Sequence, residues 1–220
     1  AKSSFFINHS YGGRSMSQIK LKHSGGNSVI IAAPDSNPAS DRTLKLPSDG
    51  DGTILTTNSP TGKILQTVQA VKTNTQSISN SGYPSTTTAL AGLQPSLTPS
   101  SSSNKILVSW SIMIGGGSNS HASFILSRSV GGSDTDNILI GDANELRVRV
   151  TQHGYIDNIY DHRLFSGQFL DTPSTTNAVT YKIKFKTNDH TIYVNRSSNN
   201  SNADWSGTST STVTLQEVAA

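Results

Sequence analysis

The stretch KILVSWSIMIGGG, residues 105–117, contains the clearest apolar alternation in the chain. Large apolar residues occupy every second position from 106 to 114, namely Ile106, Val108, Trp110, Ile112 and Ile114. Side chains two residues apart lie on the same face of an extended strand, so all five are expected on one face. The glycines at 115–117 are expected to end the strand. The stretch predicts a core strand with a polar outer face.

Weaker alternation recurs on both sides of this strand, with turn signals between the segments. The predicted strands are GKILQTVQAVKT (62–73), ASFILSRSV (122–130), ELRVRVTQ (145–152), TYKIKFKT (180–187), HTIYVNR (190–196) and STVTLQEV (211–218). Residues 73–104 are expected to form a polar, Pro-containing connection. About eight strands without a helical period predict an antiparallel, jelly-roll-like β-sandwich head over residues 61–220.

Residues 1–60 have shorter apolar runs, at 29–31, 44–46 and 54–55, and the alternating segment SQIKLKH at 17–23. A lone hairpin with so few apolar residues is marginal in water, and its open edges invite pairing with other strands. Several copies side by side would bury these small faces and pair the edges. We therefore predict an intertwined, oligomeric β stem over residues 1–60. The alternative is a loosely ordered N-terminal arm or linker.

The composition favours an all-β protein with polar outer faces, since only 33% of residues are hydrophobic and 14% are charged. The chain has no cysteine, so disulfides play no part in its stability. The net charge of +3 is too mild to predict a nucleic-acid partner. No stretch approaches the roughly 20 apolar residues of a membrane helix, so membrane insertion is not predicted.

Four segments carry a family resemblance. They are NPASDRTLKLPSDGDGTILTT (37–57), GKILQTVQAVKT (62–73), SLTPSSSSNKILVSWSI (96–112) and TIYVNRSSNNSNADWSGTSTSTVTLQEVAA (191–220). In this order and spacing, over residues 27–219, the chain resembles tail-fibre-like structural proteins of marine bacteriophages, cyanophages especially. The resemblance implies a homotrimer in the virion, with a stem and a β-rich head that touches the host surface. It implies other virion proteins as partners, and neither catalytic residues nor a cofactor.

Aromatic rings flanked by polar groups suit carbohydrate recognition. Such a mixture occurs in residues 153–171, which are expected to be rich in loops, and again near Trp205. The candidate glycan-binding residues are Tyr155, Asp157, Asn158, Tyr160, Asp161, His162, Arg163 and Trp205. The alternative for each ring is a place in the core or in a trimer interface. Loops 131–145 and 153–171 are predicted to form the exposed tip.

A second candidate surface consists of basic residues at alternate positions on two predicted strands. If those strands are neighbours, the side chains form a stripe that could hold an anionic polysaccharide or lipopolysaccharide. These residues are Arg147, Arg149, Lys182, Lys184 and Lys186. The alternative is a solvated outer sheet face, which alternation alone produces.

Metal binding and catalysis are not predicted. His153, Asp157, Asp161 and His162 could bind a divalent cation, but their spacing fits no defined motif. A polysaccharide-degrading enzyme needs two carboxylates about 5–10 Å apart, and depolymerising spikes usually have a β-helix repeat that is not found here.

The sequence therefore predicts a homotrimeric tail fibre or fibre-like virion protein that attaches to a host polysaccharide or lipopolysaccharide. The alternatives are a capsid-decorating or adaptor protein of the virion, a polysaccharide-degrading enzyme, and a secreted bacterial lectin or adhesin with a phage-derived module.

Overall fold

A computed structural model describes residues 18–22, 24–26, 28–32, 63–79, 87–187 and 190–220. The chain divides into two compact units, Ala1–Thr56 and Thr57–Ala220. The sequence places the boundary after residue 60. The predicted apolar runs at 44–46 and 54–55 lie outside the described residues.

The first unit contains a β-hairpin. Strand β1 (Gln18–Lys22) pairs antiparallel with β2 (Ser28–Ala32), and Gln18 lies opposite Ala32. Gly26, in the turn, has a φ of +102°, a backbone conformation that suits glycine. The strands predicted at 17–23 and 29–31 are therefore confirmed, whereas the intertwined stem stays a prediction.

The second unit contains all the remaining described strands. They are β3 (Ile64–Lys72), β4 (Gln76–Ser79), β5 (Thr88–Ala89), β6 (Ser96–Leu97), β7 (Lys105–Gly116), β8 (Ser120–Val130), β9 (Ser133–Leu139), β10 (Gln152–Ile156), β11 (His162–Asp171), β12 (Val179–Thr187), β13 (Thr191–Val194) and β14 (Ser211–Val218). All their pairings are antiparallel, and no helix occurs among the residues that the structure describes.

The strands form two sheets. Sheet I has the order β3-β14-β7-β13-β4, and β11 pairs with the other edge of β7. Sheet II has the order β10-β8-β12-β5, with β9 also on β8 and β6 also on β12. Residues from both sheets share one apolar core, where Trp110 of sheet I meets Phe124 of sheet II edge to face at 5.7 Å between ring centroids. The second unit is thus an antiparallel β-sandwich, and the predicted fold class of this part is confirmed.

Alternation decides which side chains enter the core. In β12, Val179, Tyr181, Ile183 and Phe185 are buried, while the lysines between them are half-buried on the outer face. In β7 the five predicted core residues are buried, Trp110 included. Since each fully buried aliphatic or aromatic side chain contributes about 1.5–3 kcal/mol, these two strands supply much of the hydrophobic stabilisation.

Two glycines make room for core rings. Gly167 of β11 lies opposite Trp110 of β7, and a Cβ at position 167 would lie 2.6 Å from Trp110 Cζ2. A Cβ on Gly154 of β10 would lie 2.6 Å from Phe165 Cζ. The rings therefore occupy space that any larger residue at either position would take.

A partly buried ion pair joins the two sheets. Arg128 of β8 donates from Nη1 to both carboxylate oxygens of Asp171 on β11, at 3.0 and 2.8 Å. The Tyr181 hydroxyl of β12 donates to the same carboxylate at 2.6 Å. Burial, followed by the hydrogen bond to Asp171, raises the pKa of the Tyr181 phenol far above its usual value. The charges of Arg128 and Asp171 therefore neutralise each other where the two sheets meet.

The strand predicted at 145–152 is wrong. Residues 140–151 form an irregular loop, and Leu146, one of the apolar residues of that alternation, is 99% exposed. The Gly141 amide donates to the Val150 carbonyl and closes the base of the loop. β9 and β10 already occupy this edge of β8, so the segment cannot pair there. β9 itself, SDTDNIL, lacks the apolar alternation that would have predicted it.

β7 ends at Gly116, within the glycine run that was expected to end it. Two other expectations need correction. The polar connection at 73–104 contains the short strands β4, β5 and β6. The segments expected as loops, 131–145 and 153–171, contain β9 and most of β10 and β11, because their backbone groups pair with β7 and β8.

Candidate functional site

Two connections meet at one end of the second unit. The turn at 157–161 joins β10 to β11, and the loop at 195–210 joins β13 to β14. The Asn199 amide donates to the Ile159 carbonyl at 3.0 Å, which ties the loop to the turn. A Cβ on Gly115 would lie only 2.3 Å from the Arg196 carbonyl oxygen, so the loop passes this closely over β7 because position 115 is glycine.

The two connections bring Tyr160 and Trp205 together. Their ring centroids are 6.0 Å apart and the planes meet at 61°, an edge-to-face contact. The two residues are 58% and 64% exposed. Large aromatic residues are costly to leave in water, so an exposed pair held in contact is a candidate ligand surface. We call Tyr160 and Trp205 the aromatic pair.

Local hydrogen bonds shape the turn that carries Tyr160. The Asn158 side-chain oxygen accepts a hydrogen bond from the Tyr160 amide at 2.9 Å. The main-chain carbonyl of Asn158 accepts one from the Asp161 amide at 3.1 Å. Asparagine favours such turns because its short side chain can bond the backbone two residues on. Asn158, a predicted ligand contact, is thus occupied in holding Tyr160.

Charged side chains lie beside Tyr160 in the sequence and contact each other. Arg163 Nη2 lies 3.4 Å from Asp157 Oδ1 and 3.6 Å from Asp161 Oδ2, and all three side chains are well exposed. A hydrogen bond between the carboxyl groups raises the pKa of Asp161 and lowers the pKa of Asp157. The guanidinium of Arg163 therefore contacts two carboxylates that lie close to each other.

Two of the predicted site residues are not in contact with the aromatic pair. Tyr155 lies on the outer face of β10, where its ring contacts His121 at 4.9 Å and its hydroxyl bonds Asn119 Oδ1. His162 begins β11 and is half-buried, and burial lowers its pKa. The predicted set is thus divided between at least two surfaces.

Three rings form a row on sheet II that the sequence did not predict. His121 of β8 stacks on His153 of β10 at 5.4 Å and also contacts Tyr155. Burial, and then the charge of His121, lowers the pKa of His153, which also bonds Ser123 Oγ through Nδ1 at 2.7 Å. Alternation predicts that residues 153 and 155 share a face, but only the pairing of β8 with β10 places residue 121 beside them.

The predicted basic stripe is not formed. Lys182 Nζ lies 2.7 Å from Asp134, and Lys184 Nζ lies 2.9 Å from Asp134 and 2.7 Å from Asp136. These lysines reach the aspartates of β9 across β8, and their hydrogen bonds lower the pKa of Asp134 far below its usual value.

The other members of the predicted stripe are placed differently. Arg147 and Arg149 lie in the irregular loop at 140–151, and Arg149 Nε donates to the Gly141 carbonyl. Lys186 shares the outer face of β12 with Lys182 and Lys184. The stripe fails because the arginine segment forms no strand beside β12, and because two of the lysines pair with carboxylates of β9.

No three His, Asp or Glu side chains come together as a possible metal site among the residues that the structure describes. In the same part of the chain, no helix is long and apolar enough to span a membrane.

No protein-family model matches the sequence, and no curated protein matches it. Two solved structures of infectious bursal disease virus show a distant likeness. The structure of the Gx strain has 8% identity and a TM-score of 0.36, covering 92% of this chain and 51% of that one. The VP2 subviral particle has 11% identity and a TM-score of 0.32, covering 88% and 48%.

The chain spans about half the length of these viral chains. At such TM-scores the likeness assigns neither fold nor function. What the described residues define by themselves is an antiparallel β-sandwich protein that carries an exposed aromatic pair at one end.

Proposed function

We propose that the chain is a virion structural protein, a tail fibre or fibre-like appendage, which binds a host surface glycan through the aromatic pair. The observation that carries the binding role is the contact of Tyr160 with Trp205, both more than half exposed. The virion assignment is supported by the sequence resemblance over residues 27–219.

The chemistry of the pair suits a sugar. The C–H face of a pyranose packs on an aromatic ring, and hydroxyls on its edge bond neighbouring polar groups. Asp157 and Asp161 offer carboxylate acceptors beside Tyr160, and Arg163 offers guanidinium donors. Each such contact is weak, and three linked copies would multiply the binding through effective concentration.

The proposed homotrimer has support from sheet I. The outward positions of β7 between its ends are Leu107, Ser109, Ser111 and Met113, and the corresponding positions of β3, β11 and β14 are equally free of charge. The outer face of sheet II, by contrast, carries the lysine–aspartate network. A face without charge can lie against other copies without like-charge repulsion.

The assembly is tested by the mass in solution. We expect about three times the chain mass of 23.3 kDa by light scattering. Ser109→Lys, in the middle of the uncharged face, should lower that mass at a given concentration. Thr180→Lys, on the outer face of β12, is the matched control and should leave it unchanged. A monomeric wild-type chain would contradict the trimer.

The binding role is tested by adsorption of the purified protein to a panel of bacterial cells and to a glycan array. Trp205→Ala should reduce binding about fivefold or more, if the ring contributes to sugar binding the roughly 1–3 kcal/mol that one aromatic ring contributes to stacking with a nucleic-acid base. Leu146→Ala, at an exposed apolar position outside the aromatic pair, is the control and should bind as the wild type does. Equal binding by Trp205→Ala would contradict the role of the pair.

The same measurements separate the other functions. Firm attachment to virion components without binding to any cell or glycan would favour a capsid-decorating or adaptor protein. Release of oligosaccharides from host polysaccharide would show an enzyme. Asp134 and Asp136 are paired with lysines, and Asp171 is paired with Arg128, so these three carboxylates have structural partners.

A further inference from the structure

We propose that the aromatic pair binds an uncharged sugar and discriminates against anionic polysaccharide. This inference rests on the proposed function and specifies the class of glycan.

The charges around the aromatic pair are mainly negative. Asp157 and Asp161 lie on the turn of Tyr160, and Asp204 directly precedes Trp205 in the loop. Against these three carboxylates the turn and the start of β11 provide one arginine, Arg163, which contacts both turn aspartates. An anionic sugar on the rings would approach this excess of negative charge.

The cations near these carboxylates are already engaged. Arg163 would have to leave two carboxylates in order to bind a third on a ligand. Arg196, the arginine of the 195–210 loop, lies 4.0 Å over the Tyr193 ring and donates to the Ser197 carbonyl. Replacing such contacts with a uronate would exchange one ion pair for another and would pay the desolvation of the uronate in addition.

On the predicted basic stripe, two of the three lysines of β12 are already paired. Lys182 and Lys184 each contact aspartates of β9 at 2.7 Å. An anionic chain would compete with intramolecular pairs that are already in place and partly shielded from water. These two lysines are therefore less available to an anionic ligand than the sequence predicted.

An uncharged sugar meets neither obstacle. Its hydroxyls can donate to the free lone pairs of Asp157 and Asp161 and accept from Arg163, without displacing either ion pair. Its C–H face covers the rings of Tyr160 and Trp205. The carboxylates then act as acceptors that orient the sugar.

The test uses pairs of oligosaccharides that differ only at C6, a neutral hexose polymer and its uronic acid counterpart, on an array and by calorimetry at low salt. We expect the neutral member of any bound pair to bind about tenfold more tightly, with little dependence on salt. Repulsion from one carboxylate about 6 Å away weakens uronate binding about threefold in water, and three carboxylates offset by Arg163 leave two net negative charges, which together give about tenfold.

Asp204→Asn should raise the affinity for the uronate member about threefold at low salt and leave the neutral member unchanged. Asp142→Asn, in the 140–151 loop, is the matched control and should change neither. Added salt should raise uronate binding to the wild type, because screening weakens the repulsion.

The outcomes separate the two proposals. Equal or tighter binding of the uronate, lost in Trp205→Ala, would overturn this inference and leave the glycan-binding role intact. Absence of binding to every glycan, with cell adsorption unaffected by Trp205→Ala, would overturn both.

Discussion

Glu217, near the end of β14, offers the sharpest test of how this sandwich is stabilised. Its carboxylate is 1% exposed and lies where β3, β14 and the connection before β7 meet. Oε1 accepts from the Ser100 amide at 2.7 Å, from the Ser100 hydroxyl at 2.8 Å and from Asn104 Nδ2 at 2.6 Å. Oε2 accepts from Gln66 Nε2 at 2.6 Å. These bonds fasten the connection at 98–104 to sheet I.

We predict that Glu217→Gln lowers the free energy of unfolding by about 2–3 kcal/mol at neutral pH. The amide can still accept at one end, but three bonds fall from charge-assisted to neutral strength, about 1 kcal/mol each, and its NH₂ group faces the donor of Gln66. Removing a buried charge offsets part of the loss. The measurement is urea unfolding, in which the midpoint should fall with an unchanged slope.

The pH dependence has a definite sign. Burial by itself would raise the pKa of Glu217, but the hydrogen bonds from Asn104, Gln66 and Ser100 outweigh it and lower the pKa below the usual value of 4.5. The stabilisation is therefore complete above the pKa of the unfolded chain and is lost as the pH falls through the lower folded-state pKa. The wild type and Glu217→Gln should converge in stability at acid pH.

The control is Glu145→Gln in the exposed 140–151 loop, which should change stability by less than about 0.5 kcal/mol at any pH. A Glu217→Gln variant as stable as the wild type at neutral pH would refute the reasoning. So would a difference in stability that persists undiminished in acid, since it would then arise from something other than the ionised carboxylate.

Three further outcomes follow from the packing. Gly167→Ala should destabilise the sandwich by about 1–3 kcal/mol in urea unfolding, because its Cβ would overlap the Trp110 ring; a neutral effect would mean that the ring shifts freely. Asp171→Asn should cost about 1.5–3 kcal/mol, because it leaves the half-buried Arg128 without its carboxylate, and a loss under about 1 kcal/mol would show that water compensates for the lost pair. Leu146→Ser should leave the thermal midpoint unchanged, whereas a clear loss would place that side chain in a contact.

Several strands of the second unit could be predicted from the sequence. The strands β7, β12 and β14 were predictable because an alternation of period two fixes at once the extended conformation and the buried face. The absence of a helical period, together with frequent turn residues, was enough for an antiparallel sandwich. Tyr160 and Trp205 were each identifiable as candidate ligand contacts by residue type and polar neighbours.

The failures have a common origin. ELRVRVTQ alternates as well as β12 does, yet it forms a loop, whereas the polar SDTDNIL forms β9. Alternation indicates which side chains a segment could bury. It does not indicate which segment pairs with the edge of β8, and β9 and β10 take that edge. The predicted basic stripe does not form for a related reason. Asp134 and Asp136 lie on β9 and pair with Lys182 and Lys184 across β8.

The sequence by itself determined the fold class and the inward and outward faces of the strong strands, because both depend on spacing within a single segment. The tertiary structure alone decided that Tyr160 meets Trp205 and that the lysines of β12 meet the aspartates of β9. Those contacts join residues far apart in the chain. They depend on which strand edges pair, and edge pairing is chosen by the packing of the whole sandwich, which no local pattern records.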